Sequence, residues 1–504
     1  MNASDTPLVV VGAGIMGAGI AQIAAQAGHP VHLHDVRPGA AAEACTRLRG
    51  TLEGLVAKGK LTSDVAAATL ARITPIDQLQ QAAGARIAIE AIVEDLATKR
   101  ALFRDLEALL ADDAILATNT SSISVTAIAN GLKHPGRLVG MHFFNPVPLM
   151  KLVEVISGLH TDASVAEAVF DLAAAWGKVP VHARSTPGFI VNRIARPFYA
   201  EALALLHERA ATPQQIDACL RAAGFRMGPC ELMDLIGHDT NFAVTNSVYA
   251  AQFFDKRYMP SGVQRELVEG GLLGRKTGRG FYRYPEGPPA LPVAVHEAPL
   301  TAREVVVHGR GAIADAIEAA TTRALAAQGW GPARVADSGW TGLEVDHARL
   351  VLTDGRCAQD LAQASGVAEL VVFDRPLVWP APGATSALAV AAAPGTSAAW
   401  REQAGRWLHA LGFAPVPIAD VPGLVVARTI AMLIDEAADA VLQGVCSEPG
   451  ADAAMKLGVN YPAGPFEWLL AWSPAGVHGV LQALDAHHRG ERYRTSAYLR
   501  RLMR

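Results

Sequence analysis

Cysteine and aromatic residues are both scarce in this chain of 504 residues. The five cysteines are Cys45, Cys219, Cys230, Cys357 and Cys446. Their odd number and the absence of a C-x-x-C pair disfavour a disulfide framework or a zinc site and indicate a reducing cytoplasm. Aromatic residues make up 6% of the chain and hydrophobic residues 51%, so the apolar content is mostly Ala, Val and Leu. This composition suits helices packed on a parallel sheet better than an all-β sandwich.

A surplus of positive charge is also absent. Lys and Arg total 44 while Asp and Glu total 48, which gives a formal charge of −4 and argues against nucleic acid as a partner. Mean hydropathy is +0.21, yet the chain has no uncharged apolar run of about eighteen residues. It also does not open with a charged-then-apolar signal segment. We therefore expect neither membrane insertion nor a metal site.

The first 184 residues alternate short apolar runs with Ala-rich helical stretches. The predicted strands are Leu8–Gly12, Val31–Asp35, Ile87–Ala91, Ile115–Asn119 and Leu138–Phe143, with helices such as Ile15–Ala27 and Thr98–Leu110 between them. Alternation of this kind predicts a doubly wound parallel α/β sheet over residues 1–184. At this length the whole chain is expected to form two to four domains.

A second, all-helical domain is predicted over residues 185–284. Phe189–Ala210 and Pro213–Ala223 have helical patterns, and no strand pattern recurs until Gly280–Tyr282. Pro197 lies inside the first of these helices and should kink it, because proline removes a hydrogen-bond donor and clashes with the preceding turn.

The rest of the chain resembles a degenerate second copy of the same arrangement. A proline-rich linker at 285–300 precedes a degenerate α/β domain at 301–418 and a second helical domain at 419–504. Three segments echo earlier ones: Val305–Ala314 echoes Val9–Gly17, Pro422–Arg428 echoes Pro187–Arg193, and Gly464–Glu467 echoes Gly228–Glu231. Chance similarity between Ala-rich stretches is the alternative, and it is stronger for 301–418 than for the helical part.

A glycine-rich turn between the first predicted strand and helix has the spacing of a Rossmann dinucleotide fingerprint. Gly12 permits a tight turn, Gly14 lets the backbone approach a pyrophosphate, and Gly17 lets the helix pack closely on the strand. Asp35 ends the next strand, where a carboxylate can bind both ribose hydroxyls and repel a 2′-phosphate. The pattern therefore favours NAD over NADP, although the nearby Arg37 weakens this preference.

His142 and Glu154 form the strongest candidate for a chemical site. His142 ends an apolar strand, where open α/β sheets place ligand-binding groups, and its ordinary pKa of about 6.5 suits a general base. Glu154 interrupts the apolar run 152–156, and a carboxylate inside a buried strand is costly unless it is paired. Taken alone, His142 could be a satisfied core histidine and Glu154 a half-exposed strand residue. Together they predict an imidazole–carboxylate pair.

Several long motifs resemble the short-chain L-3-hydroxyacyl-CoA dehydrogenases. The motifs are EAIVEDLATK (90–99), TNTSSISV (118–125), GMHFFNPVPLMKLVEVI (140–156), TPGFIVNR (186–193) and GRKTGRGFY (274–282). The resemblance covers residues 1 to about 284 in order and spacing. With its degenerate second half, the chain is similar to the long bacterial 3-hydroxybutyryl- and 3-hydroxyadipyl-CoA dehydrogenases, such as those of phenylacetate catabolism.

The resemblance implies roles for individual residues. His142 would be the catalytic base and Glu154 the carboxylate that orients it, while Ser121 and Asn192 would hold the reacting oxygen. Residues implied to contact NAD are Glu94, Lys99 and Asn145, and residues implied to contact coenzyme A are Thr51 and Lys58. From the residues alone, Ser121 reads as a helix N-cap and Asn192 as an exposed helix position. Thr51 and Lys58 could equally be solvated surface residues.

The expected reaction is NAD-dependent oxidation of a 3-hydroxyacyl-CoA, as in β-oxidation. An NAD-binding structural or regulatory protein without turnover is one alternative, and a dehydrogenase of a free hydroxy acid is another. Acyl-chain length stays open, although Lys151, Arg193 and Arg196 are possible partners of a terminal carboxylate. The oligomeric state and the direction of the reaction also stay open.

We expect the second half of the chain to be inactive. Aligning the halves at the Pro-Gly motif puts Ala427 at the place of Asn192, Ala389 at that of Glu154 and Leu377 at that of His142. The apolar face of Leu424–Leu442 needs a partner, and packing of the second helical domain against the first would imitate a dimer within one chain. An evolutionary remnant with only a solubility role is the alternative.

Overall fold

The computed structural model describes residues 6–291, 300–381 and 383–503, so most of the predicted linker lies outside the described residues. The chain forms two compact units, one of residues 1–193 and 440–460 and the other of residues 194–439 and 461–504. Among the described residues, no helix is both long and apolar enough to cross a bilayer.

The helices and strands are numbered here in chain order. Up to residue 291 they are β1 (Leu8–Val11), α1 (Ile15–Gln26), β2 (Val31–His34), α2 (Ala40–Ala57), α3 (Ser63–Ala71), β3 (Ile73–Ile76), β4 (Ile87–Glu90), α4 (Leu96–Leu109), β5 (Ile115–Thr118), α5 (Val125–Ala129), β6 (Leu138–Phe143), β7 (Leu152–Ser157), α6 (Ala163–Ala175), β8 (Val179–Arg184), α7 (Val191–Ile194), α8 (Arg196–His207), α9 (Pro213–Ala222), α10 (Pro229–Ile236), α11 (His238–Ala251) and α12 (Gly262–Glu269). From residue 300 they are β9 (Val305–His308), α13 (Ala312–Leu325), β10 (Ala333–Val335), β11 (Gly342–Val345), β12 (Ala348–Leu352), α14 (Ala358–Ser365), β13 (Leu370–Phe373), β14 (Ser386–Ala392), α15 (Ala398–Ala410), β15 (Phe413–Pro417), α16 (Val426–Leu442), α17 (Glu448–Gly458), α18 (Pro465–Trp472), α19 (Pro474–His488) and α20 (Ala497–Leu502).

The first unit contains an eight-stranded sheet in the order β3-β2-β1-β4-β5-β6-β7-β8. All neighbouring strands are parallel except β6 and β7, which are antiparallel. The predicted strands are confirmed as β1, β2, β4, β5 and β6, and helices cover the sheet as expected for a Rossmann-like fold. β1 is buried at every position, as expected for a central strand of a parallel sheet.

The helical region that follows differs from the predicted helices in two places. The predicted helix over Phe189–Ala210 is split into α7 and α8 at Ala195, and Pro197 lies in the first turn of α8, where its missing N–H has no helical partner to lose. The strand predicted at Gly280–Tyr282 is wrong, because its surroundings form only isolated bridges between Gly274, Arg279 and Arg283. Helix α9 forms as predicted, with Thr212 as its N-cap.

The second unit contains a seven-stranded mixed sheet in the order β10-β9-β11-β12-β13-β14-β15. β11 is antiparallel to both β9 and β12, and β13 is antiparallel to β14. A tight turn at Asp346 and His347, both with positive φ, joins β11 directly to β12 where a Rossmann fold would have a crossover helix. The predicted degenerate α/β arrangement is therefore present in reduced form.

The register of the second sheet corrects one expected equivalence. Ala389 pairs with Val416 as Glu154 pairs with Val181, so Ala389 does occupy the place of Glu154. The residue across from Ala389 is Asp374 rather than Leu377, because Phe373 pairs with Val390 and the Asp374 N–H donates to Ala389 O. The connection from β13 to β14 is longer than the one from β6 to β7, and an ungapped alignment cannot show this.

Asp374 has also taken over a structural task in the second copy. Its Oδ2 accepts hydrogen bonds from the N–H groups of Val425 (2.9 Å) and Val426 (2.6 Å) at the start of α16. Its Oδ1 accepts another from Ala427 at 2.9 Å. Burial raises the pKa of Asp374 to about 6, although these donors lower it. The second copy thus keeps a carboxyl group at this helix start without an imidazole beside it.

Candidate active site

The predicted glycine turn forms a close-packed cradle between β1 and α1. Gly12 has φ +105°, and a Cβ atom on it would lie 2.4 Å from the Ala91 carbonyl oxygen. A Cβ atom on Gly17 would lie 1.7 Å from the Gly12 carbonyl oxygen, so only glycine lets α1 approach the turn this closely. Nothing lies within 4 Å of the Cβ position of Gly14, which leaves its backbone open to a ligand.

Asp35 lies at the end of β2, beside the same turn. Its carboxylate accepts hydrogen bonds from Ala13 N–H (2.7 Å) and Arg37 N–H (2.9 Å). The guanidinium of Arg37 binds Glu43 at 2.7 Å, so the exposed Arg37 side chain is already paired with a carboxylate. A cavity of about 1010 Å³ borders this turn and is lined by Gly12, Gly14 and Asp35, among others. The glycine cradle, the Asp35 carboxylate and the cavity therefore lie together in the arrangement of a dinucleotide site.

His142 and Glu154 meet directly across the antiparallel pair β6–β7. They are register partners, and residues directly opposite in such a pair have their side chains on the same face. His142 Nδ1 and Glu154 Oε2 are 2.5 Å apart, and the residues are 4% and 0% exposed. We refer to these two residues as the dyad.

The surroundings of the dyad are apolar rings and backbone donors. The His142 ring lies 4.6 Å from the ring of Phe144 and 5.9 Å from that of Phe189, measured between centroids. The second oxygen of Glu154, Oε1, accepts hydrogen bonds from the N–H groups of Ile190 (3.1 Å) and Val191 (2.9 Å). Both oxygens of the buried carboxyl group are therefore hydrogen-bonded, as burial requires. No sequence pattern pointed to these two amide donors or to the two phenylalanines.

Ser121 and Asn192 lie close to each other. Asn192 Nδ2 is 3.5 Å from the Ser121 carbonyl oxygen, so the start of α7 reaches the loop after β5. The Ser121 N–H donates to Glu94 Oε1 at 3.0 Å. Within the described ranges, the exposed Ser121 hydroxyl has no hydrogen-bond partner and can bind a ligand.

Glu94 and Lys99 belong to a network that supports the Ser121 loop. Lys99 is 1% exposed and bridges Glu90 (2.5 Å) and Glu94 (3.2 Å). Burial raises the pKa of Glu94, but the hydrogen bond from Thr120 and the charge of Lys99 outweigh it and leave this pKa below its ordinary value. Glu90 is a member that the sequence analysis missed. Its signal is close to the one used for Glu154: Glu90 is the last residue of a fully buried strand, and a buried carboxylate must find a partner.

The loop after β6 is fixed by Lys178, a lysine outside the motifs quoted above. Asn145 is exposed and precedes Pro146 through a cis peptide bond. Lys178 Nζ donates to the carbonyl oxygens of Val147 (2.5 Å) and Met150 (2.8 Å). Burial and, to a smaller extent, the charge of Lys151 lower the pKa of Lys178 to about 8.

The two candidate coenzyme A contacts lie on the helix α2 and at its end. Thr51 is exposed, and its hydroxyl donates to the Arg47 carbonyl oxygen at 3.0 Å. Lys58 is the exposed C-cap residue of α2. Neither contacts the dyad, so the structure brings together His142 with Glu154, and Ser121 with Asn192, but leaves Thr51 and Lys58 on the surface.

Comparison with protein families agrees with this geometry. The chain matches the 3-hydroxyacyl-CoA dehydrogenase NAD-binding domain at residues 7–186 and the C-terminal domain of the same family at residues 188–284 and again at 423–504. Residues 350–422 match the reduced Rossmann-fold domain of 3-hydroxybutyryl-CoA dehydrogenase. The second match to the C-terminal domain confirms the repeat in the helical part.

Individual relatives cover either the whole chain or its first half. A 3-hydroxyadipyl-CoA dehydrogenase of Escherichia coli is 42% identical over 98% of this chain and 96% of its own length. A probable 3-hydroxybutyryl-CoA dehydrogenase of Bacillus subtilis is 42% identical over 55% of this chain and 97% of its own. The crystal structure of a 3-hydroxybutyryl-CoA dehydrogenase from Escherichia coli is 40% identical, with a TM-score of 0.89 and 98% of both chains covered. The chain therefore belongs to the 3-hydroxyacyl-CoA dehydrogenase family of NAD-dependent oxidoreductases.

Proposed function

We propose that this enzyme oxidises the 3-hydroxyl of an L-3-hydroxyacyl-CoA with His142 as general base and Glu154 as the residue that orients it. The observation that carries the proposal is the 2.5 Å contact between Nδ1 and Oε2 in a site from which water is largely excluded. Because Nδ1 faces the carboxylate, Nε2 is the nitrogen left to accept a proton. Glu154 then stabilises the imidazolium that forms, with its own charge balanced by two backbone amides.

The other site residues bind and align in this mechanism. Bound NAD⁺ supplies the acceptor for the hydride leaving C3 of the substrate. The Ser121 hydroxyl and the Asn192 amide hold the substrate oxygen in line with His142 Nε2, which places the proton acceptor at the reacting atom. The residues proposed to hold the cofactor are Gly12, Gly14, Gly17, Asp35, Glu94, Lys99 and Asn145. For Glu94 and Lys99 we propose a second task, since their network also fixes the Ser121 backbone.

For the substrate we propose a short-chain or dicarboxylic acyl-CoA, 3-hydroxybutyryl-CoA or 3-hydroxyadipyl-CoA. The names of the full-length Escherichia coli matches support this range. Thr51 and Lys58 are the proposed coenzyme A contacts, and an exposed lysine suits a phosphate. Of the candidate partners for a terminal carboxylate, Arg193 binds Gln443 and Arg196 binds Thr245, whereas Lys151 is exposed.

A spectrophotometric assay of NADH formation tests the reaction class. We expect activity with straight-chain and dicarboxylic 3-hydroxyacyl-CoA thioesters and none with the corresponding free hydroxy acids. Equal activity with the free acids would favour the alternative of a free-acid dehydrogenase. NAD binding without turnover of any thioester would favour a structural or regulatory role.

We further propose that the two helical regions imitate, within one chain, an interface between two copies of a shorter relative. A backbone hydrogen bond that occurs at equivalent positions in both units supports this proposal. In the first unit the Arg184 N–H donates to Val445 O at 2.9 Å, and in the second unit the Ala419 N–H donates to Ala210 O at 2.9 Å. The two donors, Arg184 and Ala419, lie as many residues apart as the two Pro-Gly motifs do. The same separation holds for the two acceptors, Ala210 and Val445. A contact that recurs with its halves exchanged is typical of a two-fold symmetric interface.

Buried ion pairs recur at the same separation. Glu201 in α8 binds Arg492 at 2.7 Å and Tyr493 at 3.1 Å, and Glu436 in α16 binds the buried Arg257 at 3.2 Å. The Arg193 contact with Gln443 likewise recurs as Arg428 with Glu208.

Truncation after residue 284 tests this interface. We expect the shortened chain to associate into dimers or to lose stability, because the apolar face of α8 would lose its cover. A stable, fully active monomer in sedimentation velocity would contradict the proposal.

For the domain organisation we propose 1–184, 185–284, 301–418 and 419–504, supported by the ranges of the family matches. A cytoplasmic location is proposed from the five free cysteines.

A further inference from the structure

Helix α17 comes from the second half of the chain, yet it packs in the first unit against β7 and β8. Its buried residues are Gly450, Ala451, Ala454, Met455 and Gly458. Three of these small residues recur every fourth position, so they share one helix face and let the helix approach the strands closely. β7 is the strand that carries Glu154, so this face of α17 lies next to the dyad.

Gly458 is the point of closest approach. A Cβ atom on this residue would lie 2.7 Å from Leu152 Cδ2, 3.0 Å from Val191 Cγ2 and 3.7 Å from Phe144 Cε1. The first of these distances is shorter than real contacts allow, so a side chain at position 458 would force Leu152, and a larger one also its neighbours, to move from their present places.

Each of the three residues adjoins the dyad in a different way. Leu152 precedes Glu154 by two positions on β7 and therefore lies on the same face of the sheet. The Val191 N–H donates to Glu154 Oε1 at 2.9 Å. The Phe144 ring packs 4.6 Å from the His142 ring. A side chain at position 458 would therefore press on residues that adjoin both Glu154 and His142.

The segment that leads into α17 binds the same region. Gln443 Oε1 accepts a hydrogen bond of 2.8 Å from the buried Arg193, the residue after Asn192. Burial and the nearby charge of Glu154 raise the pKa of the Cys446 thiol to about 12, so the group that this segment places near the dyad carboxylate is uncharged.

We propose that residues 440–460 act as a positioning element for the dyad, with Gly458 as its critical contact. The inference rests on the proposed role of the dyad and gives the half of the chain that we expect to be inactive a task in catalysis. The physical reason is alignment, since a displacement of about 1 Å in a catalytic group can cost roughly 100-fold in rate. The element also keeps water from the His142–Glu154 hydrogen bond, which is stronger in an apolar environment.

Substitution of Gly458 tests the proposal. Gly458→Val must displace Leu152, Val191 or Phe144, and we expect kcat to fall by about 10- to 100-fold. We expect the Kd for NAD and the KM for the acyl-CoA to change by less than about two-fold, since neither ligand contacts α17 in the proposed site. A substrate deuterated at C3 should show a larger isotope effect on kcat, because misalignment slows hydride transfer itself.

Gly476→Val is the matched control. A Cβ atom on Gly476 would lie 2.7 Å from Trp472 Cδ1, an equally tight contact in another helix of the second half. This variant should lose comparable stability and keep its kcat. Gly458→Val combined with Leu152→Ala, which removes the nearest atoms, should recover part of the lost kcat. If Gly458→Val does not fold, Gly458→Ala provides the same comparison with a smaller expected loss of about three-fold.

The outcomes separate this inference from the proposed function. Retained activity in His142→Ala would refute the dyad, and the positioning element with it. If His142→Ala is inactive but folded Gly458→Val keeps kcat within two-fold of wild type, only the positioning role is refuted. An equal loss of kcat in Gly476→Val would also refute it, because the effect would then be one of general stability.

Discussion

Glu201 is the carboxylate whose loss should destabilise the helical region most. It is 0% exposed and accepts charged hydrogen bonds from Arg428 (2.6 Å) and Arg492 (2.7 Å) as well as one from the Tyr493 hydroxyl. Glu201→Gln keeps the shape of the side chain but removes the counter-charge that the two guanidinium groups share, and only Arg428 keeps a second carboxylate, Glu208, at 2.9 Å among the described contacts. Loss of one partner of a buried ion pair leaves an unpaired buried charge. This destabilises the fold far more than replacement of the whole pair by apolar residues does.

The magnitude follows from the pKa of Glu201. Burial alone would raise this pKa, but Arg492 and Arg428 outweigh burial and lower it from 4.5 to about 2. At about 1.4 kcal/mol per pH unit, this corresponds to roughly 3 kcal/mol of stabilisation of the charged form. Because the folded-state pKa lies below the unfolded value, the stabilisation is present at neutral pH. It is lost as the pH falls from about 4.5 towards 2.

Urea denaturation followed by tryptophan fluorescence measures this effect. Glu201→Gln should lower the unfolding midpoint at pH 7, and the difference from wild type should shrink below about pH 4.5. The matched control is Glu436→Gln at the equivalent position of the second copy. There Arg257 faces three carboxylates, Asp435, Glu436 and Asp439, so removing one of them should cost less. An unchanged midpoint for Glu201→Gln, or a larger loss in Glu436→Gln, would refute this reasoning.

Three further predictions concern single residues. Burial raises the pKa of Asp435 to about 7, so the stability that it contributes at low pH is lost as the pH rises through 7. Because this loss begins above the unfolded pKa near 3.8, Asp435→Asn should raise the urea midpoint more at pH 8 than at pH 4, and equal effects at both values would contradict this. Gly17→Ala places a Cβ atom 1.7 Å from the Gly12 oxygen and should abolish NAD binding in a fluorescence titration, which unchanged affinity would disprove. Lys58→Met should raise the KM for acyl-CoA severalfold at unchanged kcat, and an unaltered KM would remove Lys58 from the binding site.

The parts of the fold that the sequence predicted are those with strong local patterns. β1, β2, β4, β5 and β6 are apolar runs in the interior of the sheet, and each was predicted within one residue of its observed ends. β3 and β8 were missed because they lie at the two edges of the sheet and each contains a proline, Pro75 and Pro180. Edge strands tolerate proline and mixed polarity, so their patterns resemble those of loops.

The same distinction holds for the candidate site. The meeting of His142 and Glu154 was predictable because a buried charge needs a partner and a short connection between adjacent strands supplies one. The equivalence of Asp374 with His142 depended on the length of the connection between β13 and β14. The packing of α17 on β7 joins residues about 300 positions apart in the chain. Contacts of that range leave no periodic signal in one sequence.

The most direct test of the central claim is the single-turnover rate of NADH formation by purified Glu154→Gln at saturating NAD and 3-hydroxyacyl-CoA. The claim is that the Glu154 carboxylate holds and stabilises the imidazole that removes the substrate proton. It predicts a rate about 10²- to 10⁴-fold below that of wild type, with unchanged affinity for NAD. A rate within a few-fold of wild type in a correctly folded variant would contradict it.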